Sequence, residues 1–350
     1  NFSKDTSEFA GFAVGEEGER GRKGFAIDES ELNFSSNIDD KFFGSLTAAI
    51  VREDGADKIE LEEAYIQTIA GANLPDGLSL KFGRAFWKLG YLNDKHAHSD
   101  DFADRPLPNR VFLNKAYNDD GVELSYILPT NFYAEIGGGS FRGDDFPFAT
   151  GDGTGNVTSF VRLGGDLTAN QDWRIGYYNL SGEAKKERVS NEANIKFIGD
   201  VKLDVVDFRY NFAPTGNAKN SEISLQAEYF SRSEDGTYED VAASTGAVKL
   251  DAESSGWYAQ LVYKFLPQWR IGIRQSELSA ADVPTGLANS ALDAKGFDPS
   301  SSSIMLDYTN SEFSRIRLQY NQEELSQGNK DNQFLAQYVM SFGAHSSHKY

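Results

Sequence analysis

The sequence contains no cysteine and no long apolar run, and each absence excludes a class of protein. Without cysteine among its 350 residues, the chain forms neither disulfides nor cysteine-ligated zinc sites. This composition is compatible with an oxidising compartment such as the periplasm. No segment approaches the run of about 18 apolar residues that a membrane-spanning helix needs. The long helical apolar stripes that are usual in a soluble protein of this size are missing as well.

Proline and positive charge are also scarce. There are 9 prolines, and 34 Lys and Arg residues stand against 53 Asp and Glu residues, which gives a formal net charge of −19. This surplus of negative charge argues against nucleic acid or anionic lipid as a main partner. The chain is rich in aromatic residues (13%) and has 33 glycines, but its hydrophobic residues total only 39%. A membrane β-barrel fits this composition, because its strands present an apolar side chain to lipid only at every second residue.

Alternation of apolar and polar residues is clearest at the C-terminus. One parity is apolar and includes the last residue of the chain: Phe334, Ala336, Tyr338, Met340, Phe342, Ala344 and Tyr350. A final strand that alternates in this way and ends on an aromatic residue is typical of outer-membrane β-barrels. Similar alternation recurs at 206–212, 222–229, 257–265, 269–274 and 315–320. These runs are of the order of the 9–11 residues that a tilted strand needs to cross a bilayer.

The connections between these runs also alternate in length. Short turns are predicted at 37–41, 73–77, 128–131, 169–172, 214–220, 266–268 and 309–312. Longer polar segments lie between them at 93–120, 143–158, 182–201, 231–255, 279–300 and 323–332. Short periplasmic turns and long outer loops indicate an all-β fold, a single transmembrane antiparallel β-barrel over residues 1–350. The alternative, a soluble β-sandwich or propeller, predicts no such asymmetry.

About fifteen strands are predicted between Gly24 and the C-terminus. A barrel with both termini in the periplasm needs an even number of strands, so we estimate sixteen, within a range of 14–18. Either residues 8–14 form a short first strand or one upstream strand is missing from this chain. A barrel of that size can hold a water-filled lumen. The length leaves no room for a 22-stranded transporter with a plug domain.

Residues opposite the apolar parity should line the lumen. The predicted pore-lining set is acidic in the first part of the chain and basic in the later part: Glu29, Glu31, Glu63, Glu123, Glu135, Arg162, Arg174, Arg209, Arg270, Arg274, Arg315 and Arg317. The later part also carries some acidic residues, so the separation is partial. Closing the barrel would set a more acidic wall against a more basic one, which would orient charged solutes. The alternative is that these charges pair and solvate a lumen without selectivity.

The longest connection, 93–120, is a second functional candidate. It contains two prolines and six aspartates, together with apolar residues such as Phe102, Leu107 and Phe112 that a fully exposed loop rarely carries. We therefore expect it to fold into the barrel as a constriction loop. Folding onto a neighbouring outer loop is the alternative.

The four histidines form two close pairs, His96 with His98 and His345 with His348. Imidazole suits zinc, copper and nickel, and nearby carboxylates would complete a coordination sphere. The metal-site candidates are His96, His98, Asp100 and Asp101, and the alternative is that these histidines simply lie in a polar loop. Calcium is a weaker candidate at 143–156 and 235–240, which lack EF-hand spacing. No cofactor is required by any motif.

Several segments resemble a family of proteobacterial outer-membrane proteins often labelled zinc-regulated or TonB-dependent outer-membrane receptors. These segments are GFAIDESELNFSSNIDDKFFGSLTAAI, EEAYIQT, KFGRAFWKLGYLNDKHAHSDDFADRPL, DDGVELSYILPT, SGWYAQLVYKFLPQWRIGIR, DYTNSEFSRIRLQYN and QYVMSFGAHSSHKY. The resemblance implies an outer-membrane barrel with zinc as its cargo or its regulator. It also implies an apolar strand upstream of residue 1, with residues 1–23 in the first outer loop. The family's His-containing loop corresponds to His96 and His98, and its C-terminus to His345 and His348.

Three functions remain open on these grounds. The first is a porin-like channel for small hydrophilic or charged solutes, the second an outer-membrane metal receptor or uptake protein, and the third a structural barrel that encloses a partner. An enzyme is not expected, because no Ser-His-Asp set has its histidine on a strand. The expected surroundings are outer-membrane lipid and lipopolysaccharide. A homotrimer is compatible with a porin of this length, although no interface pattern identifies one.

Overall fold

Fifteen antiparallel strands form one sheet in the computed structural model, which describes residues 9–19, 23–27, 29–53, 56–149, 154–190 and 194–343. The strands are β1 Ser30–Asn37, β2 Phe42–Glu53, β3 Ala56–Thr68, β4 Leu78–Phe86, β5 Asn118–Ile127, β6 Tyr133–Phe141, β7 Asn156–Thr168, β8 Gln171–Ser190, β9 Ile195–Phe212, β10 Glu222–Asp240, β11 Val248–Leu266, β12 Trp269–Ser279, β13 Ser300–Ser311, β14 Ser314–Glu324 and β15 Lys330–Met340. One α-helix, α1 (Leu107–Leu113), follows β4, and single 3-10 turns lie at Glu16–Gly18, Ala70–Ala72, Ala97–Ser99 and Thr285–Leu287.

Each strand pairs with the next one along the chain, as expected for an up-and-down membrane barrel. At one end the turns are short, with two residues at 169–170, 267–268 and 312–313. The other end carries the long connections 87–117, 142–155 and 280–299. The predicted all-β antiparallel fold, the fifteen strands after Gly24 and the asymmetry of the connections are therefore confirmed, and a sixteenth strand stays a prediction. The suggestion of a first strand at 8–14 is wrong for its described residues 9–14, which form no strand.

Four central strands are much longer than a bilayer requires. β8, β9, β10 and β11 have 20, 18, 19 and 19 residues, whereas about 9–11 suffice to cross a membrane. The predicted outer loops at 182–201 and 231–255 are thus mostly strand, and the proposed calcium segment 235–240 is the end of β10. These extensions are stabilised by inward residues such as Phe197 and Tyr238, which are buried and whose tilted rings lie 4.6 Å apart, centre to centre.

The outer surface carries a continuous apolar belt. Directly paired outward residues from six neighbouring strands are all exposed and apolar or aromatic: Leu225, Leu261, Ile273, Ile304, Tyr320 and Phe334. On β11 the outward aromatic residues Trp257 and Phe265 bracket Leu261. Eight residues at about 3.4 Å each cover roughly 27 Å along the strand, close to the height of the lipid-facing band of an outer-membrane barrel.

The main cluster of buried apolar residues lies inside the barrel. All seven residues of α1 are buried, and the helix packs against β10, β11, β12 and the turn at Glu16–Gly18. Phe112 of α1 stacks on Phe230 of β10 at 6.0 Å and meets the edge of Phe12 at 6.1 Å. The N-terminal segment and the connection after β4 therefore fill part of the interior. No helix in the described ranges is long and apolar enough to cross a membrane.

A charge placed in the belt should destabilise the barrel. We expect Leu261→Arg to lower the free energy of unfolding in lipid vesicles by about 2–4 kcal/mol, because the side chain points into the bilayer. Glu253→Arg is the control, since Glu253 is outward-facing on the same strand but beyond the aromatic pair. Equal losses in the two variants, measured by urea unfolding, would contradict the assignment of the belt.

Candidate pore site

The long connection 87–117, called the lumen loop below, is closed at its base by one buried asparagine. Asn93 donates from its side-chain nitrogen to the carbonyls of Trp87 (2.7 Å) and Tyr117 (3.0 Å), and its Oδ1 accepts from the Tyr117 N–H (2.5 Å). Gly90 turns the chain with φ +87°, and an added Cβ there would lie 2.2 Å from Glu228 Oε1. The entry to the loop thus has no room for a side chain.

The lumen loop runs outward along β14, where five successive inward residues of the strand each contact it. In order along the strand these contacts are Arg315 to the His98 carbonyl, Arg317 to the Asp100 carbonyl (2.6 Å), Gln319 to the Ala103 N–H (2.7 Å), Asn321 to Asp104 (3.0 Å) and Glu323 to Arg110 (3.3 Å). His98 therefore lies near the short-turn end of the barrel, and α1 lies nearer the long-loop end.

Aspartates of the lumen loop neutralise much of the basic wall. Asp94 pairs with Arg162 of β7 (3.2 Å), Asp101 with Arg270 of β12 (2.7 Å) and Asp104 with Arg274 of β12 (2.6 Å). Burial alone would raise the pKa of each aspartate, but the arginine opposite it has the larger and opposite effect. The pKa of each of the three aspartates is therefore lowered, and all three are ionised. Two further predicted pore residues pair with strand carboxylates, Arg174 with Asp207 (2.8 Å) and Arg317 with Asp307 (2.8 Å).

Three half-buried cations keep no carboxylate partner within the ranges that the structure describes: Lys95, Arg209 and Arg315. Two of them, with Arg174, surround Tyr91 of the lumen loop. The Arg174 and Arg209 guanidinium carbons lie 4.8 and 4.7 Å from the ring centre of Tyr91, and Lys95 Nζ lies 4.1 Å from it. Burial and then Arg209 lower the pKa of Lys95. This side of the lumen remains positive.

The predicted acidic wall divides into two groups. Glu123 and Glu135 are buried and share the ammonium of Lys88 at 3.3 and 2.8 Å. The second group consists of Glu29, Glu31 and Glu63, joined by Glu62 and facing the tip of the lumen loop. All twelve predicted pore residues therefore lie in the described part of the chain, and most of them are paired with protein groups.

Glu62 could not be found from alternation. β3 has a bulge against β2, where Thr47 pairs with Glu63 and Ala48 with Leu61, so that Glu62 is skipped. A bulge places two successive residues on one side of the sheet. No local sequence signal predicts this bulge. Alternation did not identify Lys88 and Tyr91 either, because they lie in a connection and not in an alternating run.

The two loop histidines meet the second acidic group rather than the aspartates beside them in sequence. His96 Nε2 lies 3.0 Å from Glu63, and His98 Nδ1 lies 2.8 Å from Glu31. Burial alone would lower the pKa of His96. The surrounding carboxylates, Glu31 first, have the larger and opposite effect and raise this pKa to about 12. Burial and then Glu62 raise the pKa of Glu29 to about 9.

The other proposed metal ligands lie apart from this cluster. Asp100 pairs with Arg105 at 2.6 Å, and Asp101 pairs with Arg270. The structure thus separates the aspartates from the histidines with which they were grouped, because each aspartate faces an arginine. His345, His348 and Tyr350 lie outside the described residues.

Comparison with known proteins identifies the fold. No family model matches the chain. A protein of Aquifex aeolicus (strain VF5), itself uncharacterized, is 28% identical over 349 residues, which cover 94% of this chain and 71% of that protein.

Solved structures similar to this chain are outer-membrane barrels. The outer membrane channel DcaP of Acinetobacter baumannii has a TM-score of 0.58 at 15% identity, covering 96% of this chain and 92% of that chain. OprB of Pseudomonas putida has 0.56 at 12%, covering 89% and 88%. The anion-selective porin of Comamonas acidovorans has 0.54 at 8%, covering 90% and 89%.

The chain therefore has the fold of the outer-membrane porins, and the predicted outer-membrane β-barrel is confirmed at this level. The label of a zinc-regulated, TonB-dependent receptor finds no support in these comparisons.

Asp104 should hold the lumen loop in place. Asp104→Asn would leave Arg274, whose side chain is 3% exposed, without its carboxylate. A buried group that loses its partner costs about 1–3 kcal/mol, so we expect hydrogen exchange across residues 93–104 to accelerate by roughly tenfold or more.

The matched control is Asp144→Asn, which removes an aspartate from the exposed pair with Arg142 and should leave exchange in the lumen loop unchanged. Identical exchange in wild type and Asp104→Asn would show that the loop is held by other contacts.

Proposed function

We propose that the protein is a porin-like channel of a bacterial outer membrane, through which small hydrophilic solutes pass without an enzymatic step. The observation that carries this proposal is the lumen loop, which crosses the interior of a porin-fold barrel and is held there by ion pairs to β7 and β12 and by hydrogen bonds to β14. A loop in this position narrows the lumen and sets which side chains a passing solute meets. Assembly as a homotrimer and contact with lipopolysaccharide stay predictions.

We further propose that the channel prefers anionic solutes. Lys95, Arg209 and Arg315 are half-buried and lack carboxylate partners in the described ranges, so their charge is available to a solute. The carboxylates Glu31 and Glu62 face the two histidines. A cationic surface beside a narrow passage attracts anions in spite of the chain's overall negative charge, because nearby charges dominate over distant, screened ones. The similar porin of Comamonas acidovorans is described as anion-selective.

A structural barrel that encloses a partner is the second candidate, and the apolar packing of α1 inside the barrel favours it. Phe12, Phe112 and Phe230 form a contact layer that leaves little space for water where they meet. The two candidates differ in one measurable property, which is ion flow through the purified barrel.

Planar bilayers containing the full chain should show discrete conductance steps. We expect a small conductance, because the lumen loop and the N-terminal segment fill part of the interior, and we expect it to rise in Asp104→Asn. A barrel that inserts but passes no ions in either form would favour the structural candidate and exclude the channel.

Reversing one unpaired cation should shift ion preference. In a KCl gradient, Arg209→Glu is expected to lower the anion-to-cation permeability ratio several-fold, since the charge lies beside the passage. Lys249→Glu makes the same charge change at a side chain that is 81% exposed, on the outer extension of β11, and should have little effect. Equal shifts in both variants would mean that net charge, and not Arg209, sets the preference.

A further inference from the structure

We propose that Glu31, Glu62, His96 and His98 form a binding site for a zinc-like divalent cation inside the barrel. The four side chains come from three separate elements. Glu31 lies on β1, Glu62 on the bulge of β3, and the two histidines flank Ala97 at the tip of the lumen loop. This site is additional to the proposed channel and does not depend on solute passage.

Carboxylate oxygens of two glutamates converge on one imidazole nitrogen. His96 Nδ1 lies 3.2 Å from Glu62 Oε2 and 3.4 Å from Glu31 Oε2, close enough for ion pairs but outside hydrogen-bonding geometry. Three potential ligand atoms from three separate elements therefore lie against one another. A divalent cation among them would contact all three.

The spacing of the donor atoms suits a four-coordinate metal. Zinc binds nitrogen and oxygen at about 2.0–2.2 Å, which places neighbouring ligand atoms of a tetrahedral site about 3.4 Å apart. His96 Nδ1 lies 3.4 Å from Glu31 Oε2 and 3.2 Å from Glu62 Oε2, and His98 Nδ1 lies 2.8 Å from Glu31 Oε1. Ligand atoms of Glu31, His96 and His98 all fall within 4.8 Å of one another. The 2.8 Å contact is a hydrogen-bond distance, so His98 Nδ1 and Glu31 Oε1 would separate to bind one ion.

Charge and donor type select the kind of ion. Glu29 and Glu63 add two more carboxylates around the four ligands. No Lys or Arg forms an ion pair with any of these four glutamates in the ranges described. A divalent cation would offset this crowding of negative charge. Two imidazoles favour zinc, nickel or copper over calcium and magnesium, which prefer oxygen ligands alone.

Further side chains surround the proposed ligands and hold the His96 ring in place. Glu63 accepts from His96 Nε2 at 3.0 Å, on the ring edge away from Nδ1, and such a carboxylate orients a metal-binding imidazole. Phe86 covers the His96 ring edge-on at 5.2 Å, and the His98 ring stacks on it at 5.7 Å. These contacts fix the ring whose Nδ1 would bind the ion.

Zinc titration of the full barrel in detergent tests the site. Isothermal calorimetry is expected to show one Zn²⁺ per chain, with binding weakened at least tenfold in His98→Gln and in Glu31→Gln. Glu253→Gln removes an exposed carboxylate from the outer part of β11 and should bind as wild type does. Heat-modified gel migration and circular dichroism confirm that each variant is folded before titration.

Cobalt absorption of the wild-type barrel gives an independent measurement. Co²⁺ held by two imidazoles and carboxylates in a four-coordinate site should give visible bands that one equivalent of Zn²⁺ abolishes and an excess of Ca²⁺ leaves unchanged. The proposal is overturned by any of three results: no stoichiometric zinc binding, equal affinity in the folded ligand variants and wild type, or displacement of Co²⁺ by Ca²⁺. Failure of the channel measurements would leave these results unaffected.

Discussion

The ion pairs between the lumen loop and the basic wall are the interaction on which the interior of this barrel depends. An arginine buried without a carboxylate is costly, and removal of one member of a buried pair destabilises a protein strongly. Arg162, Arg274 and Arg317 are each at most 5% exposed, and each is satisfied partly or wholly by the loop. The wall and the loop therefore need each other: the loop supplies the counter-charges, and the wall supplies the surface that orders the loop.

Much of the fold follows from the alternation of apolar and polar residues, because a membrane barrel imposes period two on every strand. The same pattern predicted Arg174, Arg270 and Arg317 for the lumen side, and in the structure each of them pairs with a carboxylate. It overestimated the outer loops, since the ends of β8–β11 continue beyond the bilayer for reasons of internal packing. It also missed Glu62, because a bulge breaks the alternation on which such reasoning rests.

The sequence alone does not predict which residues of the lumen loop contact which residues of the barrel wall. Asp100 and Asp101 follow His98 closely, so proximity in sequence grouped them, yet they face Arg105 and Arg270. Which wall residue meets which loop residue depends on how the loop crosses the barrel, and no local pattern encodes that path. The same consideration explains why barrels of 8–15% identity share this fold. Lipid requires only an apolar exterior, which many different sequences provide. The charged residues of the interior can therefore differ between these proteins.

The contacts along β14 have a consequence for the order of assembly. The lumen loop follows the fourth strand, yet its partners Arg317 and Gln319 stand 217 and 216 residues further along the chain. Contacts between such distant segments form late, because the intervening chain must first be ordered. The early half of the barrel supplies partners for the base and the histidines of the loop, on β1, β3 and β7, but not for residues 100–110. Formation of β14 then adds the contacts that hold the segment from His98 to Arg110 along the wall, so this part of the lumen is completed only when nearly all the described strands are in place.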